Sequence, residues 1–195
     1  GKSTAINRLA QQKRLAFASR TPGRTQHINL FAVGPKDAPD ALFVDLPGYG
    51  YAAVERAAKL RWQEVMALYL AQRRSLSGVV LMIDSRLGFT DLDHQLLQLL
   101  STRLAGGAVR LLVLLTKSDK LARGPAKPTL ETTRRELAAW GDRVTVQLFS
   151  SLKRLGIEEA EQAIGGWLDA DPIIDASGEK EKPPVKGEKT GGKTP

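Results

Sequence analysis

The chain has 195 residues, of which 42% are apolar and none is cysteine, and it carries a formal net charge of +8. This length and composition suit one α/β domain with a core of its own, while the lack of cysteine excludes disulfides and thiolate metal sites and suits a reducing cytoplasm. No apolar run approaches the roughly 20 residues that span a membrane, and the basic excess favours a polyanionic partner such as RNA.

The chain begins with a short polar motif that leads into a helical pattern. Gly1-Lys2-Ser3-Thr4 matches the second half of the phosphate-binding loop G-x-x-x-x-G-K-[ST]. In the complete loop the lysine reaches the β- and γ-phosphates and the hydroxyl residue binds Mg²⁺, so Lys2 and Ser3 would take these roles. The first glycine of the loop and the strand before it do not precede Gly1, and we expect the chain to be truncated within this motif.

A polar loop and two strands follow the first helix. Residues 19–27 are rich in turn formers, which predicts a loop that contains Thr25. Residues 28–33 and 41–44 predict two strands, and the short turn between them requires an antiparallel hairpin. In a GTPase, a threonine at this place belongs to the first switch and completes the coordination of Mg²⁺ when the γ-phosphate is bound.

The second predicted strand delivers Asp45 to a turn at Pro47 and Gly48. Asp-x-x-Gly after an apolar strand is the γ-phosphate-sensing element of P-loop GTPases, in which the aspartate supports Mg²⁺ and the glycine amide faces the γ-phosphate. Taken alone, the four residues more often mark an ordinary aspartate at a strand end.

The rest of the folded part alternates between helices and apolar strands. Residues 52–74 predict a helix that buries Ala58, Trp62, Val65 and Tyr69, and Thr90 with Asp93 predicts the capped start of another. Such alternation predicts a mostly parallel central sheet with helices on both faces. The further predicted strands are 78–84, 111–115 and 143–148, and the further predicted helices are 129–140 and 156–168.

Two strand ends carry a pattern suited to guanine. In Thr116-Lys117-Ser118-Asp119, the carboxylate can accept both the ring N–H and the exocyclic amine of guanine while the lysine stem packs over the base. Adenine lacks that pair of donors, which disfavours an ATPase. In Phe149-Ser150-Ser151, a small residue allows a backbone amide to approach guanine O6.

Taken in order, these motifs resemble those of a Ras-like P-loop GTPase. Three of the motifs have sequences that are more specific than the general GTPase patterns and that resemble the EngB family, also called YihA or YsxC. They are Thr21-Pro22-Gly23-Arg24-Thr25-Gln26, Asp45-Leu46-Pro47-Gly48-Tyr49-Gly50-Tyr51 and the threonine of Thr116-Lys117-Ser118-Asp119. The resemblance covers about residues 1–168 and implies a Ras-like α/β fold whose first strand is missing from this chain. We expect a GTP-binding domain over residues 1–170 and a disordered tail rich in Lys, Gly, Pro and Glu over 171–195.

The resemblance also implies a function. Members of the family are monomeric GTP-binding proteins of the bacterial cytoplasm that assist assembly of the large ribosomal subunit, contact ribosomal RNA or the subunit precursor, and are needed for normal cell division and septation. The implied cofactors are GTP or GDP and Mg²⁺. The implied metal ligands are Ser3, Thr25 and, through water, Asp45, and the implied catalytic residues are Lys2, Thr25 and Gly48. The implied nucleotide-binding residues are Gly1, Lys2, Ser3, Thr4, Gly23, Arg24, Thr25, Gln26, His27, Asp45, Leu46, Pro47, Gly48, Thr116, Lys117, Ser118, Asp119, Phe149, Ser150 and Ser151.

One departure concerns hydrolysis. Ras-type enzymes orient the attacking water with a glutamine after Asp-x-x-Gly, whereas Tyr49 follows Gly48 here, so we expect slow intrinsic turnover. A non-catalytic RNA-binding assembly factor that keeps the GTPase fold is the alternative; Tyr49 favours it and the guanine pattern at Lys117 and Asp119 disfavours it. An Era-like GTPase would need an appended RNA-binding domain, for which the chain after Leu168 is too short.

Overall fold

The structure is a computed structural model that describes residues 2–9, 28–33, 41–46, 56–121 and 125–168. The predicted switch loop, the turn after Leu46 and the tail lie outside these residues. Within the described ranges, no helix is long and apolar enough to cross a membrane. The strands are β1 (Asn29–Val33), β2 (Ala41–Asp45), β3 (Gly78–Asp84), β4 (Arg110–Thr116) and β5 (Val144–Leu148), and the helices are α1 (Lys2–Leu9), α2 (Arg56–Gln72), α3 (Asp91–Ala105), α4 (Ala126–Glu136) and α5 (Ile157–Leu168).

The strands form two separate sheets. β3, β4 and β5 are parallel with β4 in the centre, and β1 pairs with β2 in an antiparallel hairpin in which Asn29 lies opposite Asp45. The parallel sheet and the antiparallel hairpin were both predicted from the sequence, whereas the strand order and the register were not. Among the described residues no strand joins the two sheets.

Helices cover both faces of the parallel sheet, as predicted. Side chains of successive β-strand residues point to opposite faces, so β4 contributes alternate residues to two cores. The first core packs Leu111, Val113 and Leu115 against α2 and α3, and the second packs Leu112 and Leu114 against α1 and α5. All five of these side chains are buried. β4 therefore fixes the positions of the loops that precede and follow it.

The start of α3 has the predicted capping box. The Thr90 hydroxyl accepts a hydrogen bond from the Asp93 amide, and the Asp93 carboxylate accepts one from the Thr90 amide at 2.8 Å. These bonds satisfy backbone donors that a helix N-terminus otherwise leaves unpaired. His94 is exposed, and its ring lies 5.4 Å from that of Phe89.

Two predictions about helices need correction. In α2, Val65 is 50% exposed whereas Met66 and Leu70 are buried against α3, because the helix turns the stripe at 66, 69 and 70 toward the sheet. The side chains of Ala58 and Trp62 lie outside the described residues. The helix predicted over 129–140 ends at Glu136, and a 3₁₀ segment, Ala138–Arg143, follows it with Gly141 at a φ of 52°.

Candidate functional site

The polar residues singled out from the sequence gather where the strands end. Asp45 ends β2, Thr116 ends β4, and Lys2 begins α1. A third strand, β3, ends in Asp84, which lies opposite Thr116 in the parallel sheet. In open α/β sheets, ligands bind at this carboxyl edge because the loops that leave it converge there.

The phosphate-loop lysine and the Asp-x-x-Gly aspartate are in direct contact. Lys2 Nζ donates a hydrogen bond to Asp45 Oδ1. The Asp45 side chain is only 2% exposed, and a buried carboxylate needs a charged or hydrogen-bonding partner because its desolvation is costly. The contact therefore brings together the two motifs that a γ-phosphate would have to touch at once.

Two residues with hydroxyl groups follow Lys2 in the chain. Ser3 and Thr4 are half-buried in the first turn of α1, and Leu46 packs against the first core just after Asp45. Mg²⁺ prefers oxygen ligands and usually takes one or two protein groups together with phosphates and water. The Ser3 hydroxyl and the buried Asp45 carboxylate have the donor chemistry that such an ion requires.

The predicted guanine motif forms a tight loop after β4. Thr116 Oγ1 donates to the carbonyl of Ile83 at 2.8 Å, which ties the loop to β3. Lys117 adopts the left-handed conformation, with φ 56° and ψ 29°, and a 3₁₀ turn begins at Ser118. The Ser118 amide donates to the carbonyl of Phe149 at 3.3 Å. The loop is thus attached to both neighbouring strands.

A side-chain hydrogen bond joins the two parts of the guanine pattern. Ser150 Oγ donates to Asp119 Oδ1 at 2.5 Å, and this bond is the main reason why the pKa of Asp119 lies below its ordinary value. Ser150 Oγ also accepts from the Lys153 amide at 3.1 Å. Asp119 is therefore held in place as an ionised acceptor, while half-buried Ser151 lies next to Ser150 in the chain.

Phe149 serves the site only through its backbone. Its side chain is fully buried in the second core, and its amide donates to the carbonyl of Leu115 at 2.9 Å. Of the other predicted residues, those of the first switch and the turn after Leu46 lie outside the described residues, so their roles stay predictions. With Gly1, which is also outside, they are Gly23, Arg24, Thr25, Gln26, His27, Pro47 and Gly48.

Sequence reasoning missed Asp84 and Arg86. Asp84 Oδ2 accepts from Lys117 Nζ at 2.8 Å and from Arg86 Nη2 at 2.7 Å. The hydrogen bonds from Arg86 and then those from Lys117 hold the pKa of Asp84 well below its ordinary value, against the opposing effect of burial. Asp84 ends an apolar strand just as Asp45 does, and that position at the carboxyl edge was the available signal.

Comparison with protein families and curated proteins identifies related sequences. Residues 1–117 match a family model described as "50S ribosome-binding GTPase". A relative from Acidovorax ebreus named "Probable GTP-binding protein EngB" is 53% identical over 173 residues, which cover 89% of this chain and 76% of the relative. A relative of the same name from Polaromonas sp. is 56% identical over 167 residues, covering 86% of this chain and 66% of the relative.

Two solved structures have a similar fold. A crystal structure of a probable GTP-binding protein EngB gives a TM-score of 0.64 at 19% identity, covering 87% of this chain and 93% of the other. A structure of Era in complex with MgGDPNP and a piece of 16S ribosomal RNA gives 0.62 at 23% identity, covering 97% and 56%. At these identities the likeness supports the fold alone.

Proposed function

The chain belongs to the EngB family of GTP-binding proteins, and on this premise we propose that it binds GTP and GDP with Mg²⁺ and hydrolyses GTP slowly. The observation that carries the proposal is the bond from Ser150 to Asp119. It supports an ionised carboxylate held at the strand edge, which suits the two adjacent donors of guanine. An adenine base would leave that carboxylate unpaired.

In this proposal, the residues near the phosphates have separate tasks. The ammonium of Lys2 neutralises charge on the β- and γ-phosphates, and its contact with Asp45 supports a position between the carboxylate and the nucleotide. Ser3, Thr25 and Asp45 would hold Mg²⁺, which when bound supplies further positive charge at the phosphates. Gly48 would meet the γ-phosphate through its amide.

Slow hydrolysis is proposed because of one residue. Tyr49 follows Gly48 and lacks the amide group with which a glutamine orients the attacking water. Rapid turnover then requires a partner that supplies this group. Exchange between the GTP- and GDP-bound states would matter more for the protein's role than its intrinsic rate.

We propose that the partner is ribosomal RNA in a precursor of the large ribosomal subunit. The support, beyond the description of the family model, is a set of arginines at the amino edge of the parallel sheet, opposite the proposed nucleotide site. They lie after α2, at the start of β4 and just before β5, and such cations bind RNA phosphates with a strong dependence on salt. These residues are Arg73, Arg74, Arg110 and Arg143.

The remaining parts of the proposal follow from family membership. The protein would act as a monomer in the bacterial cytoplasm and would be needed for normal cell division and septation. Its GTP-binding domain would span residues 1–170, with residues 171–195 as a tail outside it.

Nucleotide titration tests the proposal directly. A fluorescent GDP analogue with Mg²⁺ is titrated into the 195-residue chain and into a version extended in front of Gly1 by a strand and a complete glycine-rich loop. We expect the extended form to bind more tightly by about a thousandfold or more, since each added amide bond to phosphate contributes roughly 1.5–3 kcal/mol. GTP should compete and ATP should not. If neither form binds, the non-catalytic RNA-binding alternative replaces the proposal.

A further inference from the structure

A carboxylate outside the predicted nucleotide motifs joins two cations at the edge of the parallel sheet. Besides its bonds to Lys117 Nζ and Arg86 Nη2, Asp84 accepts through Oδ1 from Arg86 Nε at 2.9 Å and from the Arg86 amide at 3.1 Å. The Asp84 side chain is 15% exposed, whereas those of Arg86 and Lys117 are 47% and 54% exposed. A mostly buried anion thus anchors two side chains that are otherwise open to solvent.

Both ends of the Lys117 side chain are fixed. Its backbone lies in the left-handed region, which non-glycine residues seldom adopt, and its carbonyl accepts from the Lys120 amide at 2.8 Å. Its ammonium is held by Asp84. The four-carbon stem between these points loses the freedom that an exposed lysine normally keeps. This loss of conformational entropy occurs on folding, so it does not oppose the binding of a ligand.

We propose that Asp84 is a positioning residue for guanine nucleotides: it fixes the Lys117 stem as a support for the face of the base, two residues before the carboxylate that contacts the base edge. The inference rests on the proposed function and adds a residue to its site. Arg86, through its two-pronged contact with Asp84, keeps the carboxylate oriented toward Lys117. Asp84 itself need not touch the nucleotide.

This role has a chemical signature that separates it from the role of Asp119. The Lys117 stem would contact the face of any purine of the same shape. Asp84 should therefore contribute equally to the affinity for nucleotides of guanine and of hypoxanthine, which lacks the exocyclic amine. Asp119 pairs with the base edge, so its effect should depend on that amine. Comparison of GDP with IDP therefore distinguishes the two roles.

The test uses Asp84→Asn, which keeps the size of the side chain and removes its charge. In whichever chain form of the titration above binds GDP, we expect the affinities for GDP and IDP to fall by the same factor, about fivefold to twentyfold. Asp91→Asn, which neutralises an exposed carboxylate at the first residue of α3, is the matched control and should leave both affinities unchanged. Circular dichroism and thermal melting establish that each variant is folded.

A double-variant cycle then tests whether Asp84 acts through Lys117. In a Lys117→Ala background, Asp84→Asn should change GDP affinity by less than about twofold, because the side chain that it positions is gone. A purely structural role would give the same loss in both backgrounds and would overturn the inference. If Asp84→Asn does not fold, Asp84→Glu replaces it; we expect about a threefold loss that disappears in the Lys117→Ala background.

The possible outcomes separate this inference from the proposed function. Unchanged GDP affinity in Asp84→Asn, or a loss for GDP that IDP does not share, overturns the positioning role and leaves the proposed function intact. Failure of both unsubstituted chain forms to bind GDP overturns the proposed function, and the inference falls with it.

Discussion

Lys2 and Asp45 meet through a side-chain hydrogen bond although they lie 43 positions apart in the sequence. The bond links the first residue of α1 to the last residue of β2, and so connects the helix of one sheet's core to the separate hairpin. Removing it should therefore affect the folding of the hairpin as well as binding at the phosphates.

Replacing Lys2 with Ala leaves the buried Asp45 carboxylate without its cation. We expect the free energy of unfolding to fall by about 1–3 kcal/mol, less than for a fully buried pair because Lys2 is partly exposed. Urea denaturation at neutral pH measures the change. Asp45→Asn added to Lys2→Ala should restore part of the stability, since no buried charge then remains. Strictly additive effects would contradict the pairing.

Asp119→Asn tests whether the Asp119 carboxylate recognises the hydrogen-bonding edge of guanine. An amide cannot accept from both donors of guanine, so GDP affinity should fall by about a hundredfold, whereas affinity for xanthine nucleotides should rise. Competition titrations with GDP and XDP measure both. Ser150→Ala is a milder variant that keeps the carboxylate and removes its hydrogen bond, and it should weaken GDP binding without favouring XDP. An unaltered preference in Asp119→Asn would refute the assignment.

The contribution of Asp84 to the free energy of unfolding should decrease as the pH is lowered. Its pKa is lowered in the folded protein, so its contribution is complete above the ordinary carboxyl pKa of about 3.9 and is lost as the pH falls through the lower folded value. The difference in unfolding free energy between the unsubstituted chain and Asp84→Asn should be constant from about pH 8 to about pH 5 and shrink below about pH 4. A difference that already shrinks near neutral pH would point to another group.

Gly78, the first residue of β3, lies directly beneath the ring of Trp167 in α5. A Cβ at position 78 would collide with that ring, so Gly78→Ala should destabilise the protein by about 1–3 kcal/mol. Gly166→Ala is the control, because a Cβ there meets no described atom within 4 Å and alanine favours the helix by about 1 kcal/mol. Thermal melts of the two variants should therefore move in opposite directions.

The arginines at the amino edge of the sheet predict a salt-dependent interaction. Arg143→Gln should weaken binding to bacterial large ribosomal subunits and reduce the slope of log K against log salt by about 1 for each phosphate that the arginine neutralises. Lys127→Gln, at the start of α4 near the opposite edge, is the charge-matched control and should leave the slope unchanged. Equal effects of the two substitutions would show that only net charge matters.

The sequence allowed prediction of what local pattern determines. Apolar runs located β3, β4 and β5, Thr90 and Asp93 specified a capping box, and the short turn between β1 and β2 required a hairpin. Parallel strands place their carboxyl ends together, which explains why Asp119, after β4, and Ser150, after β5, lie within hydrogen-bonding distance.

Two features depended on tertiary packing and escaped prediction. The buried stripe of α2 includes Met66 rather than Val65 because the rotation of a helix is set by the surface beneath it. The ion pair between Asp84 and Lys117 was missed because a pair between residues 33 positions apart has no local signature. The local sequence Lys117-Ser118-Asp119 does not determine the direction of the lysine side chain.

The central strand has a consequence for how the protein opens. β4 is paired on both sides and buried on both faces, so its amide protons should exchange with solvent only when the whole domain unfolds. The loop from Thr116 to Asp119 is anchored to this most protected segment. The hairpin that ends in Asp45 belongs to a separate two-stranded sheet, so we expect it to open without unfolding of β4. The residues proposed to contact the base would thus lie in a part of the fold that opens rarely, whereas Asp45, near the proposed phosphate site, would lie in a part that opens more often.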